Sequence, residues 1–243
     1  MSAWAELRTE LDAWAAAGRS ATFWWRDDDA VAPSAPLDRL LALLEHHRIP
    51  LGLAVVPAQA RPINLPDSVA VLQHGIAHRN HAPAGAKKRE LGDLPADVLL
   101  AELAAGRGRL AHLFGPAALP VLVPPWNRID PALIPRLPES GLCGLSAFGP
   151  RASAPLRQVN CHGDPIAWRK ERGFTGEAAA LGPIVAHLAA RRAGTADAAE
   201  PTGMLTHHLQ HDEALWAFAA RFAEIVCGHH ATRWLAPAEA FAA

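Results

Sequence analysis

The sequence predicts an α/β fold in which parallel strands form a sheet and helices pack outside it. Short apolar runs alternate along the chain with longer stretches of helical periodicity, a pattern typical of parallel sheets. The conspicuous polar clusters follow apolar runs directly, and parallel α/β folds build their sites at the carboxyl ends of strands. A chain of 243 residues, half of them hydrophobic, can form a substantial core, and we expect one domain over residues 1–243.

The first half of the chain is predicted to contain two helices and three strands. Trp4, Leu7, Leu11 and Trp14 recur at helical spacing, so an amphipathic helix is expected to open the chain and to end near Gly18. The elements that follow are a strand over 21–26 that runs into three acids, a helix over 37–47, a strand over 51–56 stopped by a proline, and a strand over 69–73.

The second half continues this alternation. A long helix is predicted over 96–114, and the strand over 121–123 is halted by Pro124 and Pro125. The remaining predicted elements are a helix over 131–140, a short strand over 143–147, a helix over 177–193, a strand over 203–206 and a helix over 213–227. Segments 79–93 and 194–202 look like surface loops.

Charge and cysteine content narrow the class of protein. The formal net charge is −1 and the sequence pI is about 6.9, which gives no electrostatic reason to expect nucleic acid or an anionic membrane as a partner. Cys143, Cys161 and Cys227 are scattered without CxxC spacing, as in proteins of a reducing compartment. The start of the chain lacks the pattern of a secretory signal, and no apolar run approaches the about 18 residues that span a bilayer. We therefore expect a cytoplasmic protein; its oligomeric state is not indicated.

Three consecutive acids, Asp27, Asp28 and Asp29, close the first predicted strand. Such a triplet can be a helix cap or an exposed turn. Here it follows an apolar strand directly and has Arg26 beside it, and successive side chains at a strand end point in different directions. One carboxylate can therefore bind a metal while its neighbour serves as a general base.

Two histidines four residues apart, His74 and His78, close the third predicted strand. On a helical turn their rings can share one face and chelate a metal, and Gly75 permits a sharp turn out of the strand. The pair alone is a weak signal, and His81 is better interpreted as a loop residue. Together with a carboxylate from the acid cluster, the two imidazoles predict a hydrolytic divalent-metal site with open positions for water and substrate.

The segments after the fourth strand and near residue 160 have two interpretations each. Trp126, Asn127 and Arg128 form either a rigid turn with a core tryptophan or a pocket wall, with an aromatic for a sugar face and a cation that orients a carboxylate. His162 and Asp164 belong either to another polar loop of the same pocket or to an Asx-type turn.

His207 and His208 follow the last predicted strand. They can simply precede a helix, with Asp212 and Glu213 favouring its positive end. Their position at a strand end favours a functional role, because histidine is the usual general acid near neutral pH.

Taken in chain order, these clusters resemble the polysaccharide deacetylases, the NodB-homology carbohydrate esterases, and especially their divergent bacterial branch with an HGxxH motif. The resemblance extends from about Phe23 to Asp212. It implies a distorted (β/α) barrel and metal-assisted removal of an N-acetyl or other acyl group from an amino sugar or sugar-containing intermediate. It also implies a divalent metal, with zinc the first choice, and a small carbohydrate or glycan intermediate as substrate.

The resemblance implies Asp27 as the general base, Asp28, His74 and His78 as the metal ligands, and His207 as the general acid. His208 is the alternative acid and a candidate substrate contact. The other candidate substrate contacts are Trp126, Asn127, His162 and Asp164.

Three departures from the family pattern leave alternatives open. Asp29 stands where the family has glycine, so the register of base and ligand among the three acids is open. Val123 stands where the family has arginine, so Arg128 or Arg26 would have to orient the base. The missing export signal favours a soluble sugar or nucleotide-sugar intermediate over a cell-wall polymer. A catalytically inactive sugar-binding barrel and a metal hydrolase of another amide or ester are the competing hypotheses.

Overall fold

The structure, a computed structural model, describes residues 2–151, 156–169 and 172–242. Within these ranges eight parallel strands form one sheet that curls into a half-barrel with helices around it. The strands are β1 (Ala21–Ala30), β2 (Leu51–Val55), β3 (Val69–His74), β4 (Ala118–Val123), β5 (Gly144–Leu145), β6 (Arg157–Gln158), β7 (Thr202–Thr206) and β8 (Thr232–Trp234). Their order is β6-β5-β4-β3-β2-β1-β7, and β8 pairs with the first residues of β1.

Six α-helices lie within the described residues. They are α1 (Ala3–Ala16), α2 (Ala35–His46), α3 (Ala96–Phe114), α4 (Glu177–Ala193), α5 (Glu213–Gly228) and α6 (Pro237–Ala242). In the part of the chain that the structure covers, none of these helices combines the length and the apolar character needed to cross a bilayer. The cytoplasmic location inferred from the sequence stays a prediction.

Strand β1 is the centre of the sheet and is buried on both faces. Its neighbouring tryptophans, Trp24 and Trp25, point to opposite faces and belong to different hydrophobic clusters. Each indole N–H is satisfied, that of Trp24 by the Asn160 carbonyl at 2.8 Å and that of Trp25 by the Thr206 hydroxyl at 2.9 Å. Truncation of such a buried ring typically costs about 3–5 kcal/mol. The strand that carries the acid cluster is therefore held rigidly.

The predicted distorted (β/α) barrel is confirmed, with differences in individual elements. Strand β1 does not stop at Arg26 but continues to Ala30. The segment Pro131–Ser140 is a 3₁₀ helix rather than an α-helix, because Pro135 and Pro138 lack the N–H groups of a regular α-helix. The short elements β6, β8 and α6 were not predicted.

The parallel topology brings the polar clusters together. Strand β1 lies between β2 and β7, and β3 lies between β2 and β4. Because all these pairings are parallel, the carboxyl ends of β1, β3, β4 and β7 meet at one edge of the half-barrel. The three acids lie in the last residues of β1. The two histidine pairs lie at the ends of β3 and β7, and the proline turn follows β4.

Candidate active site

A candidate metal centre lies at this edge, formed by Asp29, His74 and His78. Asp29 Oδ1 is 3.0 Å from His74 Nε2 and 3.3 Å from His78 Nε2. The three ligand atoms lie within 4.8 Å of one another. One carboxylate oxygen and two imidazole nitrogens form a donor set suited to zinc and to similar divalent cations. The residues therefore fit the metal that the sequence predicted.

The two imidazoles are held differently. His74 is buried at the end of β3, and its Nδ1–H donates to the Val123 carbonyl at 3.0 Å. Because a carbonyl can only accept, Nδ1 carries a proton, and Nε2 is the ring nitrogen that faces Asp29 Oδ1. Burial alone would lower the pKa of His74, but the carboxylates of Asp28 and Asp29 outweigh it and raise this pKa. His78 packs on the Trp126 ring, with centroids 4.4 Å apart.

The loop that carries His78 is anchored by Glu90, a carboxylate only 1% exposed. Its Oε2 accepts from the backbone N–H of Ile76, and its Oε1 accepts from those of Ala77 and Arg79, at 2.8–2.9 Å. Gly75 has φ +58°, and a Cβ there would lie 2.1 Å from Glu90 Oε2. Gly75 and Glu90 thus jointly fix the turn between His74 and His78.

We expect Glu90→Gln to weaken zinc binding by about 10- to 100-fold, the usual effect of losing an outer-shell partner. The amide has one acceptor oxygen and places an N–H donor against the backbone N–H groups of the loop. Competition titration with a chromophoric zinc chelator measures this affinity. Glu102→Gln, an exposed change on α3, is the matched control. Equal affinity in both variants would show that Glu90 does not position His78.

The middle acid, Asp28, forms a buried ion pair with the arginine two residues before it. Arg26 Nε is 2.9 Å from Asp28 Oδ1, and Arg26 Nη2 donates to Asp28 Oδ2 at 3.0 Å. The guanidinium also donates to Ser146 Oγ at 2.6 Å and to Asn127 Oδ1 at 2.7 Å. Burial would lower the pKa of Arg26, but Asp28 outweighs it and raises this pKa. The bidentate pair fixes the orientation of the Asp28 carboxylate.

The first acid, Asp27, is fully buried and saturated with donors. Its Oδ2 accepts from the Thr206 hydroxyl at 2.7 Å and from the His208 backbone N–H at 3.0 Å, and its Oδ1 contacts His208 Nδ1. Burial would raise the pKa of Asp27, but the charge of His208 and its hydrogen bond outweigh this and lower it. Asp27 and His208 therefore form a buried ion pair beneath the site.

His207 lies beside Asp28 and is almost fully buried. Its Nε2 lies 4.0 Å from Asp28 Oδ2, and its ring packs edge-on against Trp168 with centroids 4.6 Å apart. Trp168 in turn donates its indole N–H to Asp164 Oδ2 at 2.7 Å. Burial raises the pKa of Asp164, although the charge of His207 acts in the opposite direction. The Asp28 carboxylate, held by Arg26, and the His207 imidazole thus lie next to each other near the candidate metal centre.

Four non-glycine residues at this edge adopt left-handed backbone conformations. Asp29 has φ 70°, His78 has φ 55°, Trp126 has φ 56° and Asn127 has φ 54°. Such conformations are uncommon outside glycine and accumulate at functional sites. Here they orient the Asp29 carboxylate, the His78 imidazole and the turn that carries Trp126.

No protein-family model and no curated protein matches the chain, but solved structures do. A putative polysaccharide deacetylase from Mycobacterium smegmatis superposes with a TM-score of 0.61 at 16% identity, over 90% of this chain and 87% of that one. The chitin deacetylase of Colletotrichum lindemuthianum gives 0.56 at 14%, over 92% and 88%. A family 4 acetyl xylan esterase from Clostridium thermocellum, solved with a cobalt ion, gives 0.52 at 14%, over 91% and 90%.

The chain has the fold of the polysaccharide deacetylases. The likeness covers nearly the whole chain, as the sequence resemblance predicted. At these identities it establishes the fold alone.

On this polysaccharide-deacetylase fold, the acids are shifted by one position from the predicted register. Asp29, not Asp28, lies beside His74 and His78, and Asp28, not Asp27, lies across from His207. The reason is an irregularity in the pairing of β1 with β2 between Asp27 and Ala30, combined with the left-handed backbone at Asp29. Together they break the alternation of side chains on which the predicted register depended.

The predicted cation Arg128 is not in the site. Its guanidinium donates to the Lys88 carbonyl at 3.0 Å, because the left-handed turn at Trp126 and Asn127 directs it outward. The cation beside the candidate base is Arg26, the alternative that the sequence left open. Asn127 lies at the site through its contact with Arg26, and Trp126 through His78.

His162 is not on a pocket wall either. It is buried against His187 and Glu200, with ring centroids 3.4 Å apart and an interplanar angle of 12°. Its Nδ1 accepts from the Gly203 N–H at 3.0 Å, so the proton of the neutral ring lies on Nε2, 3.6 Å from Glu200 Oε1. Rings in nearly parallel planes cannot both aim a lone pair at one ion. This group, although compact, therefore suits a buried carboxylate between two imidazoles better than a metal.

We expect this cluster to make folding stability sensitive to acid. Burial lowers the pKa of His162 from 6.5 to about 4, so stability is lost as pH falls through this range, because only the unfolded chain takes up the proton. Burial would raise the pKa of Glu200, but His162 and His187 outweigh it and lower it from 4.5 to about 2. The stability that Glu200 contributes is therefore lost as the pH falls from 4.5 to about 2.

Glu200→Gln should therefore lower the free energy of unfolding at pH 7 by about 1–3 kcal/mol and flatten its decline below pH 4.5. Urea unfolding at a series of pH values measures both effects. Glu102→Gln, which is exposed, should reproduce the wild-type profile. A profile of Glu200→Gln parallel to that of the wild type would contradict this account.

Proposed function

We propose that the protein is a metal-dependent hydrolase that removes an N-acyl group, acetyl first, from an amino sugar or sugar-containing intermediate. The observation that carries the proposal is the proximity of Asp28 and His207, with Oδ2 and Nε2 4.0 Å apart, near the cluster of Asp29, His74 and His78. The deacetylase names of the structural neighbours support the reaction class.

In this proposal Asp29, His74 and His78 hold the cation, with zinc the first choice. When bound, a divalent cation polarises an amide carbonyl and makes water more acidic. The carboxylate and the two imidazoles would fill three coordination positions of the cation and leave the others for water and substrate. Catalytic metal sites keep such open positions, whereas structural sites do not.

Asp28 is the proposed general base and His207 the proposed general acid. Asp28 Oδ2 accepts the proton of the attacking water, and the ion pair with Arg26 orients this carboxylate for the transfer. His207 then donates a proton from Nε2 to the departing amine. Trp168, packed on the imidazole and tied to Asp164, limits the rotation of this ring. Trp126 packs on His78, and its aromatic ring is of the kind that stacks on a sugar face.

The test is acetate release from N-acetylglucosamine oligomers by purified protein, before and after metal removal by a chelator and readdition of zinc. We expect release that disappears on chelation and returns with the metal. Acetylated xylan provides an ester for comparison, and hydrolysis of the ester alone would indicate a different acyl specificity. Metal and sugar binding without hydrolysis of any acylated sugar would contradict the proposal and favour a binding barrel.

A further inference from the structure

A groove of about 470 Å³ lies between the loop after β3 and the turn after β4. One wall is the loop after β3, which contributes Lys87 and Arg89. The other wall is the turn after β4, which contributes Asn127 and Arg128. A larger groove of about 610 Å³ lies near the start of β3 and α6 and is mainly apolar, so charge distinguishes the smaller one.

Cations outnumber acids along this groove, although the whole chain has a formal net charge of −1. The groove is lined by Lys87, Arg89 and Arg128 and by one acid, Asp93. Arg89 engages Asp93 through Nε at 3.0 Å and Nη2 at 2.9 Å, which occupies both carboxylate oxygens. Arg128 uses only Nη1, on the Lys88 carbonyl, and Lys87 is exposed. The remaining N–H groups of Arg128 and the Lys87 ammonium are therefore available to a ligand.

The groove is built from ordered segments. Asn80 Oδ1 accepts from the backbone N–H groups of Ala82 at 3.2 Å and Arg89 at 2.9 Å, which closes the loop on itself. The Asp130 N–H donates to the Leu91 carbonyl at 2.8 Å, which joins this loop to the turn after β4. The two walls are thus held at a fixed separation, so a ligand does not have to order them.

The groove adjoins the proposed reaction site directly. The Trp126 ring, next to Asn127 in the chain, contacts His78 and has Lys88 Nζ 5.9 Å from its centroid. Asn127 lines the groove, while its Oδ1 accepts from Arg26, the partner of the proposed base. A substrate whose acyl group lies at the metal centre would meet the groove at Asn127.

We propose that this groove binds an anionic group of the substrate, a phosphate or carboxylate attached to the acylated amino sugar. The proposal rests on the proposed function for the position of the acyl group. Guanidinium and ammonium groups form strong charge-assisted hydrogen bonds with both anions, and arginine matches their planar or forked geometry. The substrate class is then acidic or phosphorylated amino sugars rather than neutral homopolymers.

Equilibrium titration of the zinc-loaded protein tests the groove independently of turnover. N-acetylglucosamine 1-phosphate and N-acetylmuramic acid supply the phosphate and the carboxylate, and N-acetylglucosamine is the neutral reference. We expect either or both anionic sugars to bind at least about tenfold more tightly than the neutral sugar at low salt, and the preference to shrink at about 0.5 M salt. Lys87→Glu and Arg128→Gln should each reduce it severalfold and leave binding of the neutral sugar unchanged.

Arg8→Glu, a charge reversal on the exposed face of α1, is the matched control and should behave as the wild type. Equal affinity for the neutral sugar and both anionic sugars, or a preference that both groove variants retain, would overturn the inference. If acetate is released from neutral sugars and the protein has no preference for anionic sugars, the anion-binding role of the groove is wrong and the proposed function stands. If the preference exists without any hydrolysis, the anion-binding role stands and the proposed function is wrong.

Discussion

Replacement of Asp29 with asparagine is expected to strip zinc from the purified protein. Its Oδ1 is the carboxylate atom nearest both imidazoles of the candidate centre, at 3.0 and 3.3 Å. An amide carries no charge to offset that of the cation, so affinity should fall by more than the about 10- to 100-fold typical of outer-shell changes. Elemental analysis after dialysis against a weak chelator measures the metal content.

The matched controls are the two neighbouring acids. Asp28→Asn should retain the metal, because this carboxylate contacts Arg26 rather than the two imidazoles. Asp27→Asn should also retain it but lower stability, because it weakens the buried pair with His208. If Asp28→Asn loses the metal and Asp29→Asn keeps it, Asp28 is the ligand, as predicted from the sequence, and the assignment of Asp29 is wrong.

Asp28→Asn and His207→Ala should each lower kcat by about a hundred- to ten-thousand-fold while metal content stays at the wild-type level. The two side chains lie next to each other, and neither belongs to the candidate ligand set. The pH dependence of kcat should also change, since each variant removes one of the two proton-transfer groups. Steady-state acetate release measured from pH 5 to 9 gives both quantities.

His230→Ala, an exposed change after α5, is the control for His207→Ala. Asp28→Asn leaves the Arg26 guanidinium with a weaker partner, so its unfolding midpoint must be measured alongside kcat. Full activity of His207→Ala with metal bound would exclude His207 as the acid. The same result for Asp28→Asn would exclude the proposed base and with it the mechanism.

Most of the fold could be predicted because its strands carry their own signals. Apolar runs that end at acids, histidines or prolines locate β1 to β4, and helical periodicity locates the main helices. The end of β1 could not be predicted this way, because three acids normally stop a buried strand. They continue it here because His208 pairs with Asp27, Arg26 with Asp28, and His74 with Asp29. The two histidines are so far from the acids in sequence that they leave no local pattern.

The members of the candidate site were easier to predict than their register. The acids, the pair His74 and His78, and His207 were identified by their residue types and by their positions at the ends of predicted strands. The backbone conformation determined the remaining geometry. The left-handed Asp29, rather than Asp28, lies beside the two histidines, and the turn at Asn127 directs Arg128 away. Glu90 was missed, since an acid in a loop gives no sign that it will accept from three backbone N–H groups. His162 looked like a pocket residue because its partner, Glu200, is 38 positions away.

The left-handed residues at the site imply a trade-off between durability and activity. Such a conformation costs a non-glycine residue on the order of 1–3 kcal/mol, and Asp29, His78, Trp126 and Asn127 all adopt it. The protein thus gives up part of its small stability margin where its chemistry is proposed to occur. Selection for heat resistance alone should therefore accept glycine at these positions first. A thermostable lineage obtained that way would keep the barrel and lose the site.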